Sequence, residues 1–270
     1  MTEPADWSRA ADPARRIGRA IEFHAEIAST NDRARATLDE PGSDGLAVVA
    51  DLQTAGRGRR GRSWISPAGA NLLFSIALRP DVTPRLAGLL GVAAALAVCD
   101  GCASFAHDAG LAIRWPNDVV DRGGRKVAGL LVETALEGGE LAEAVIGIGI
   151  NVNWHHAEMP LEIAARTTSL LALVGEPTDR VALLGRVLDA LDAEIRALER
   201  GETPLQRVRS VSWLDGRLIE IDTGAEMIAG RAAGIADDGS LLLDAQAGRL
   251  ALSVGEVTRV HEPIPAAVSE

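Results

Sequence analysis

Apolar residues recur along this chain in short runs separated by glycine- and proline-marked turns, with two longer stretches of helical period. Leu46 to Asp51, Leu72 to Arg79, Leu111 to Trp115, Val127 to Glu133 and Ala144 to Asn153 have strand length and composition. Pro116, which lacks a backbone donor, ends the third of these, and Gly123-Gly124 marks a turn before the fourth. Ser29-Thr30-Asn31 has N-cap chemistry and opens a helix through about Leu38. Arg85 to Cys99 is rich in Ala and Leu and reads as a buried helix. Pro177-Thr178-Asp179 starts another. Val181, Leu184, Leu188, Leu191, Ile195 and Leu198 then follow at steps of three and four, making one apolar stripe, with Gly201 placed as its C′ residue. From Trp213 the texture changes. Short strands alternate with Asp215-Gly216, Thr223-Gly224, Asp238-Gly239 and Ala247-Gly248, the spacing of a small β barrel or sandwich. Turn-linked strands with interspersed helices predict an α+β fold with a mainly antiparallel sheet. The division is placed near residue 203, giving domains 1–202 and 203–270.

Composition narrows the chemistry. Aromatic residues are 3% of the chain and tyrosine is absent, so Ala, Leu, Val and Ile must build the core. The net charge of −11 gives no general attraction to nucleic-acid phosphates. Cys99 and Cys102 form a lone C-x-x-C inside the Ala/Leu helix. His107 is its only nearby candidate for a further metal ligand, so the pair reads as small core hydrophobes. No apolar run reaches the ~18–20 residues that span a bilayer. The stretch from Met1 to Ala20 mixes acids with arginines and has no apolar centre, which argues against a secretory signal. Together with the free cysteines, this predicts a cytoplasmic protein without membrane partners.

One segment breaks the apolar pattern. Gln53-Thr-Ala-Gly56-Arg57-Gly58-Arg59-Arg60-Gly61-Arg62-Ser63-Trp64 places four arginines among three glycines and ends on an indole. Glycine lets backbone N–H groups approach a bound group, arginine offers a fixed charged fork for carboxylate or phosphate, and Trp64 offers a stacking face. Three readings compete: a clamp over an anionic, nucleotide-like ligand, a nucleic-acid tether, and a plain solvated loop. Strand-length runs on both sides favour the clamp.

Four more segments put polar groups at strand or helix ends: Ser29-Thr30-Asn31, Arg114-Trp-Pro-Asn117-Asp118, Gly124-Arg-Lys126-Val-Ala-Gly129 and Gly149-Ile-Asn151. Each alone is explained by a cap, a tight turn, a solvated charge or an edge residue. In this order and together with the loop, the set resembles the biotin protein ligases. The likeness runs from about Ile27 to Leu171 and includes the small C-terminal β domain.

The resemblance implies a class II aminoacyl-tRNA synthetase-like sheet with flanking helices, followed by an SH3-like barrel. It also implies a biotin–[acetyl-CoA-carboxylase] ligase activity in two steps. Biotin first attacks the α-phosphate of ATP with magnesium, giving biotinyl-5′-AMP. A lysine of a biotin carboxyl carrier domain then attacks the mixed anhydride. By the same likeness Arg57 and Lys126 flank the carboxylate and α-phosphate, and Arg59 retains the adenylate. Ser29, Thr30, Asn31, Gln53, Gly56, Gly58 and Gly129 belong to the biotin pocket. Arg60, Arg62, Trp64, Asn117 and Asn151 fall on the adenylate side, Trp64 by stacking on adenine. Asp118 serves magnesium or the incoming amine, two roles the sequence does not separate. Some relatives begin with a winged-helix DNA-binding domain; the stretch ahead of Ser29 is too short for one, so a monofunctional ligase without operator DNA is expected. A monomer and a ligand-dependent homodimer both remain open. The rival readings are a lipoate ligase or octanoyltransferase, and a non-catalytic biotin or nucleotide sensor.

Overall fold

A computed structural model describes residues 5–261. Residues 1–4 and 262–270, the outer ends of the two expected domains, lie outside the described residues. The central sheet contains β1 (Ile21–Ile27), β2 (Ala47–Gln53), β3 (Leu72–Leu78), β4 (Ala112–Arg114), β5 (Asp118–Val120), β6 (Lys126–Glu137) and β7 (Glu140–Ile150). Their spatial order is β1-β2-β3-β7-β6-β5-β4. Only the β1–β2 pair is parallel, so the sheet is mainly antiparallel, as the turn pattern predicts. β3 lies near the middle and every one of its residues is buried, which matches a sequence that is apolar but for Ser75.

The helices are α1 (Thr30–Thr37), α2 (Leu89–Ala103), α3 (Leu161–Ala164), α4 (Leu170–Val174), α5 (Arg180–Glu199) and α6 (Leu205–Ser210). α2 is apolar except at Asp100 because it is enclosed between the sheet and α5. A Cβ at Gly101 of α2 would come within 2.5 Å of Val187, so the missing side chain is what lets the two helices approach. Asp179 caps α5 by accepting from the N–H groups of Val181 and Ala182, and Gly201 follows the last turn at φ +78°. Cys99 and Cys102 are buried in α2. Burial pushes the Cys99 thiol up to about 12 and that of Cys102 higher still, so both are structural.

Downstream, β8 (Leu218–Asp222), β9 (Met227–Ile235), β10 (Leu241–Ala245), β11 (Gly248–Leu252) and β12 (Glu256–His261) form a second, wholly antiparallel sheet in the order β11-β10-β9-β8-β12. Its apolar residues Ile219, Ile221, Leu241 and Leu243 continue the cluster that begins under the central sheet. The Trp115 indole N–H donates to the carbonyl of Gly239 at 3.1 Å and ties the two sheets together. Two strands were not anticipated. β1 is an edge strand with only loose apolar alternation, and β5 lies inside what reads as a turn.

Candidate active site

A cavity of about 490 Å³ opens over the pairing of β6 with β7. Gly129 of β6 faces Gly149 of β7 in register, and the Trp64 indole lies against both. A Cβ would stand 2.9 Å from the ring at Gly129 and 2.6 Å at Gly149. Two residues back on the same face of β7, a Cβ at Gly147 would stand 2.0 Å from Asn31 Oδ1. These glycines make a shelf, and the loop and the start of α1 rest on it.

Lys126 begins β6. Its ammonium lies 2.7 Å from Asp118 Oδ1 and 5.3 Å from the centroid of the Trp64 ring. Arg114 donates to the other Asp118 oxygen at 2.7 Å. Burial alone would push the Asp118 carboxyl up, but the charges of Lys126 and Arg114 outweigh it and hold the group below the usual carboxylate range. Asp118 is therefore an ionised group held between two cations.

The start of α1 supplies a polar wall. Ser29 stands at the N-cap position in extended backbone, yet its side chain makes no capping bond and lines the cavity instead. The Thr30 N–H and hydroxyl donate to Gln53 Oε1 at 2.7 and 3.0 Å. The Thr30 and Ser75 hydroxyl oxygens lie 2.7 Å apart, and Ser75 donates to Asn31 at 2.6 Å. The Asn31 amide donates to Glu133 at 2.8 Å. Ser29, Thr30, Asn31 and Ser75 are all buried, so this network fixes one side of the cavity.

The Arg/Gly loop is ordered by its own pairing. Arg57 and Ser63 form an antiparallel bridge, and the N–H of Trp64 donates to the carbonyl of Gly56 at 2.9 Å. Each arginine has a protein partner. Arg57 forks onto Asp32 at 2.6 and 2.7 Å, and these bonds hold the Asp32 carboxyl below the usual range. Arg59 donates to the carbonyl of Gly255 at 3.2 Å. Arg60 pairs with Asp222 and Arg62 with Glu256, each at 2.6 Å. Three of the four thus reach the second sheet or the turn before β12. Arg60 does so from φ 55°, a left-handed conformation unusual for a side-chain-bearing residue.

The cavity brings together Ser29, Thr30, Asn31, Gln53, Arg57, Gly58, Arg59, Arg62, Trp64, Asn117, Asp118, Lys126 and Gly129. Gly56, Arg60 and Asn151 lie outside its lining. A Cβ at Gly56 would stand 2.9 Å from the Trp64 carbonyl, so that glycine serves the loop's own turn. Arg60 faces Asp222. Asn151 is 2% exposed, with its amide 3.5 Å from the carbonyl of Lys126 and its carbonyl 3.5 Å from the Asn71 amide. Asn117 is at the wall, and its amide donates to the Leu130 carbonyl at 2.8 Å. Sequence reasoning missed Asp32, Glu133, Gly147, Thr167, Trp213 and the start of β12. Only Gly147 carries a signal of its own, a glycine alternating with Gly149 inside an apolar strand.

Residues 25–151 match the model of the biotin/lipoate A/B protein ligase family. The chain is 34% identical over 250 residues to the biotin–[acetyl-CoA-carboxylase] ligase of Mycobacterium tuberculosis, covering 90% of each. It is 36% identical over 242 residues to the enzyme of that name from Paracoccus denitrificans, covering 85% of this chain and 96% of the relative. The chain belongs to the biotin protein ligase family. In structure it is similar to the Aquifex aeolicus biotin protein ligase solved in complex with biotin and ATP. That likeness has a TM-score of 0.76 and 29% identity, covering 90% of this chain and 100% of the other. Within this family frame, the α+β fold with a C-terminal antiparallel sheet is as expected.

Asp118 is the residue expected near magnesium, and its donor set does not fit an ion held by protein alone. Both of its oxygens already face cations, and among the described residues no group of three acidic, His or Cys side chains converges. A magnesium ion brought in by nucleotide phosphates would need no such set, as is common for that ion. Among the described residues no helix is long and apolar enough to cross a membrane.

Proposed function

We propose that this protein is an ATP-dependent biotin protein ligase that adenylates biotin and transfers the biotinyl group to one lysine of a biotin carboxyl carrier domain. The observation that carries this reading is the convergence of Lys126, Arg57, Arg59 and Arg114 on one cavity beside a narrow polar wall.

Adenylation brings a carboxylate against a triphosphate, and their repulsion must be offset by fixed positive charge at the reacting centre. Lys126 is held in place by Asp118 and the Trp64 ring, so its ammonium is oriented before substrate arrives. Arg57 and Arg59 enter from the loop. Once the carboxylate oxygen has attacked the α-phosphorus and pyrophosphate has left, the same cations hold the mixed anhydride. Asp118, ionised and central, is suited to orient the incoming lysine amine as it attacks the acyl carbon and AMP departs. The network of Thr30, Gln53, Ser75 and Asn31 supplies donors and acceptors for a neutral polar ring such as the ureido group. Trp64 contributes a stacking surface at the nucleotide end. With the division near residue 203, the β domain supplies acids that hold the loop and, through the start of β12, part of the cavity wall. With every loop arginine paired to an acid or carbonyl of the protein, a nucleic-acid tether has little support. Buried free thiols fit a cytoplasmic enzyme.

The test is the mass of a carrier domain after incubation with the protein, biotin, ATP and magnesium. One added biotinyl group is expected, and none when biotin is replaced by lipoate. An unmodified carrier, or equal use of lipoate, overturns the reading.

A further inference from the structure

Asp32 occupies the third position of α1, where the exposed N–H groups of a helix start stabilise a negative charge. Its two oxygens take the Nη1 and Nη2 edge of Arg57 in a fork-to-fork pair at 2.6 and 2.7 Å. Glu133 stands 3.7 Å from Arg57 Nη2 and also receives the Asn31 amide at 2.8 Å. Arg57 is therefore flanked by two acids at the rim of the cavity. A substrate carboxylate binds a guanidinium best through the same two-point geometry, and here Asp32 holds that edge.

We infer that Asp32 is a positioning residue for Arg57 that exchanges with the substrate's carboxylate for the guanidinium fork. This rests on the biotin reading above. Asp32 places the arginine at the rim and withdraws when a second carboxylate arrives, its charge then carried by the helix start. Both side chains are more than a third exposed, at 56% and 39%, so the pair is weak enough to open readily. The exchange acts as a discount on affinity that applies only to ligands carrying a carboxylate.

The test is calorimetric binding of biotin and of biotin amide, a neutral analogue, to the full chain and to Asp32→Asn, with folding checked by circular dichroism. Asp32→Asn is expected to tighten biotin about two- to fivefold, the range of an exposed ion pair, and to leave biotin amide unchanged. In an Arg57→Gln background the same substitution is expected to change neither ligand. Weaker biotin binding, an equal change for both ligands, or an effect that persists without Arg57 overturns the exchange. If the unaltered chain binds neither ligand, the biotin reading itself fails and this inference with it.

Discussion

Trp64 rests on Gly149: a single methyl group on that glycine would come within 2.6 Å of the indole. The loop's terminal anchor thus depends on an absence of side chain in the sheet. Gly149→Ala is expected to push the ring off its shelf and shift the arginines with it. A misplacement near 1 Å can cost on the order of 10²-fold in rate, so biotin-dependent pyrophosphate exchange should fall by about that factor. The strand pairing is otherwise kept, so thermal stability should change little. Normal exchange by this variant would show that the Trp64 shelf does not set loop position.

Lys126→Met removes the ammonium that Asp118 and Trp64 hold in place. Asp118 keeps Arg114 as partner, so the chain should stay folded. Loss of one such stabilising contact costs on the order of 10²–10³ in rate, and adenylation should fall accordingly. Transfer from added biotinyl-5′-AMP should suffer less. A variant that adenylates normally would refute the assigned role.

The same pair sets a pH dependence of stability. The Asp118 carboxyl is held below its unfolded value of about 3.9, so folding is favoured wherever the unfolded carboxyl is ionised. That contribution is fully present above about pH 4–5 and is lost as pH falls through the depressed folded value. The urea midpoint should therefore carry no pH dependence from this site near neutrality and drop more steeply in acid than that of Asp118→Asn. Parallel acid profiles for the two proteins would contradict the shift.

Burial keeps Cys99 and Cys102 as thiols. Neither should react with a disulfide reagent at pH 8 in the folded protein, and both should react once it is unfolded. Rapid native labelling of either one would mean that α2 opens far more readily than its packing against α5 implies.

Most of the architecture was legible because the apolar runs are long and the turns are marked by glycine. The stripe from Val181 to Leu198 became α5, and the repeated turns after Trp213 became the second sheet. β1 was not legible: it is an edge strand, half exposed, and its place comes from pairing with β2 rather than from its own pattern. The site was legible where chemistry and spacing coincide, as in the Arg/Gly loop and around Lys126. Asp32, Glu133 and Glu256 were not, because a lone acid on a helix or strand has no local signature. Their roles arise only when the fold brings an arginine to them. Asn151 is the reverse case, a polar residue beside a motif whose buried side chain contacts the Lys126 carbonyl and Asn71.

The loop is latched to the second sheet through Arg60–Asp222 and Arg62–Glu256, both partly exposed to solvent. Pairs of this kind are screened by salt, since the Debye length falls from about 10 Å at 0.1 M to about 3 Å at 1 M. Trypsin cleavage between Arg59 and Arg62 should therefore speed up as salt rises, after correction with a reference peptide for trypsin's own salt response. Asp222→Asn combined with Glu256→Gln should give the fast rate already at low salt. Biotin plus ATP should slow cleavage in all of these cases, because bound anions give the arginines new partners and order the loop over the cavity. Cleavage that ignores salt would mean that backbone pairing within the loop, not the acids of the second sheet, holds it closed. Cleavage that ignores the ligands would remove the loop from the binding site altogether.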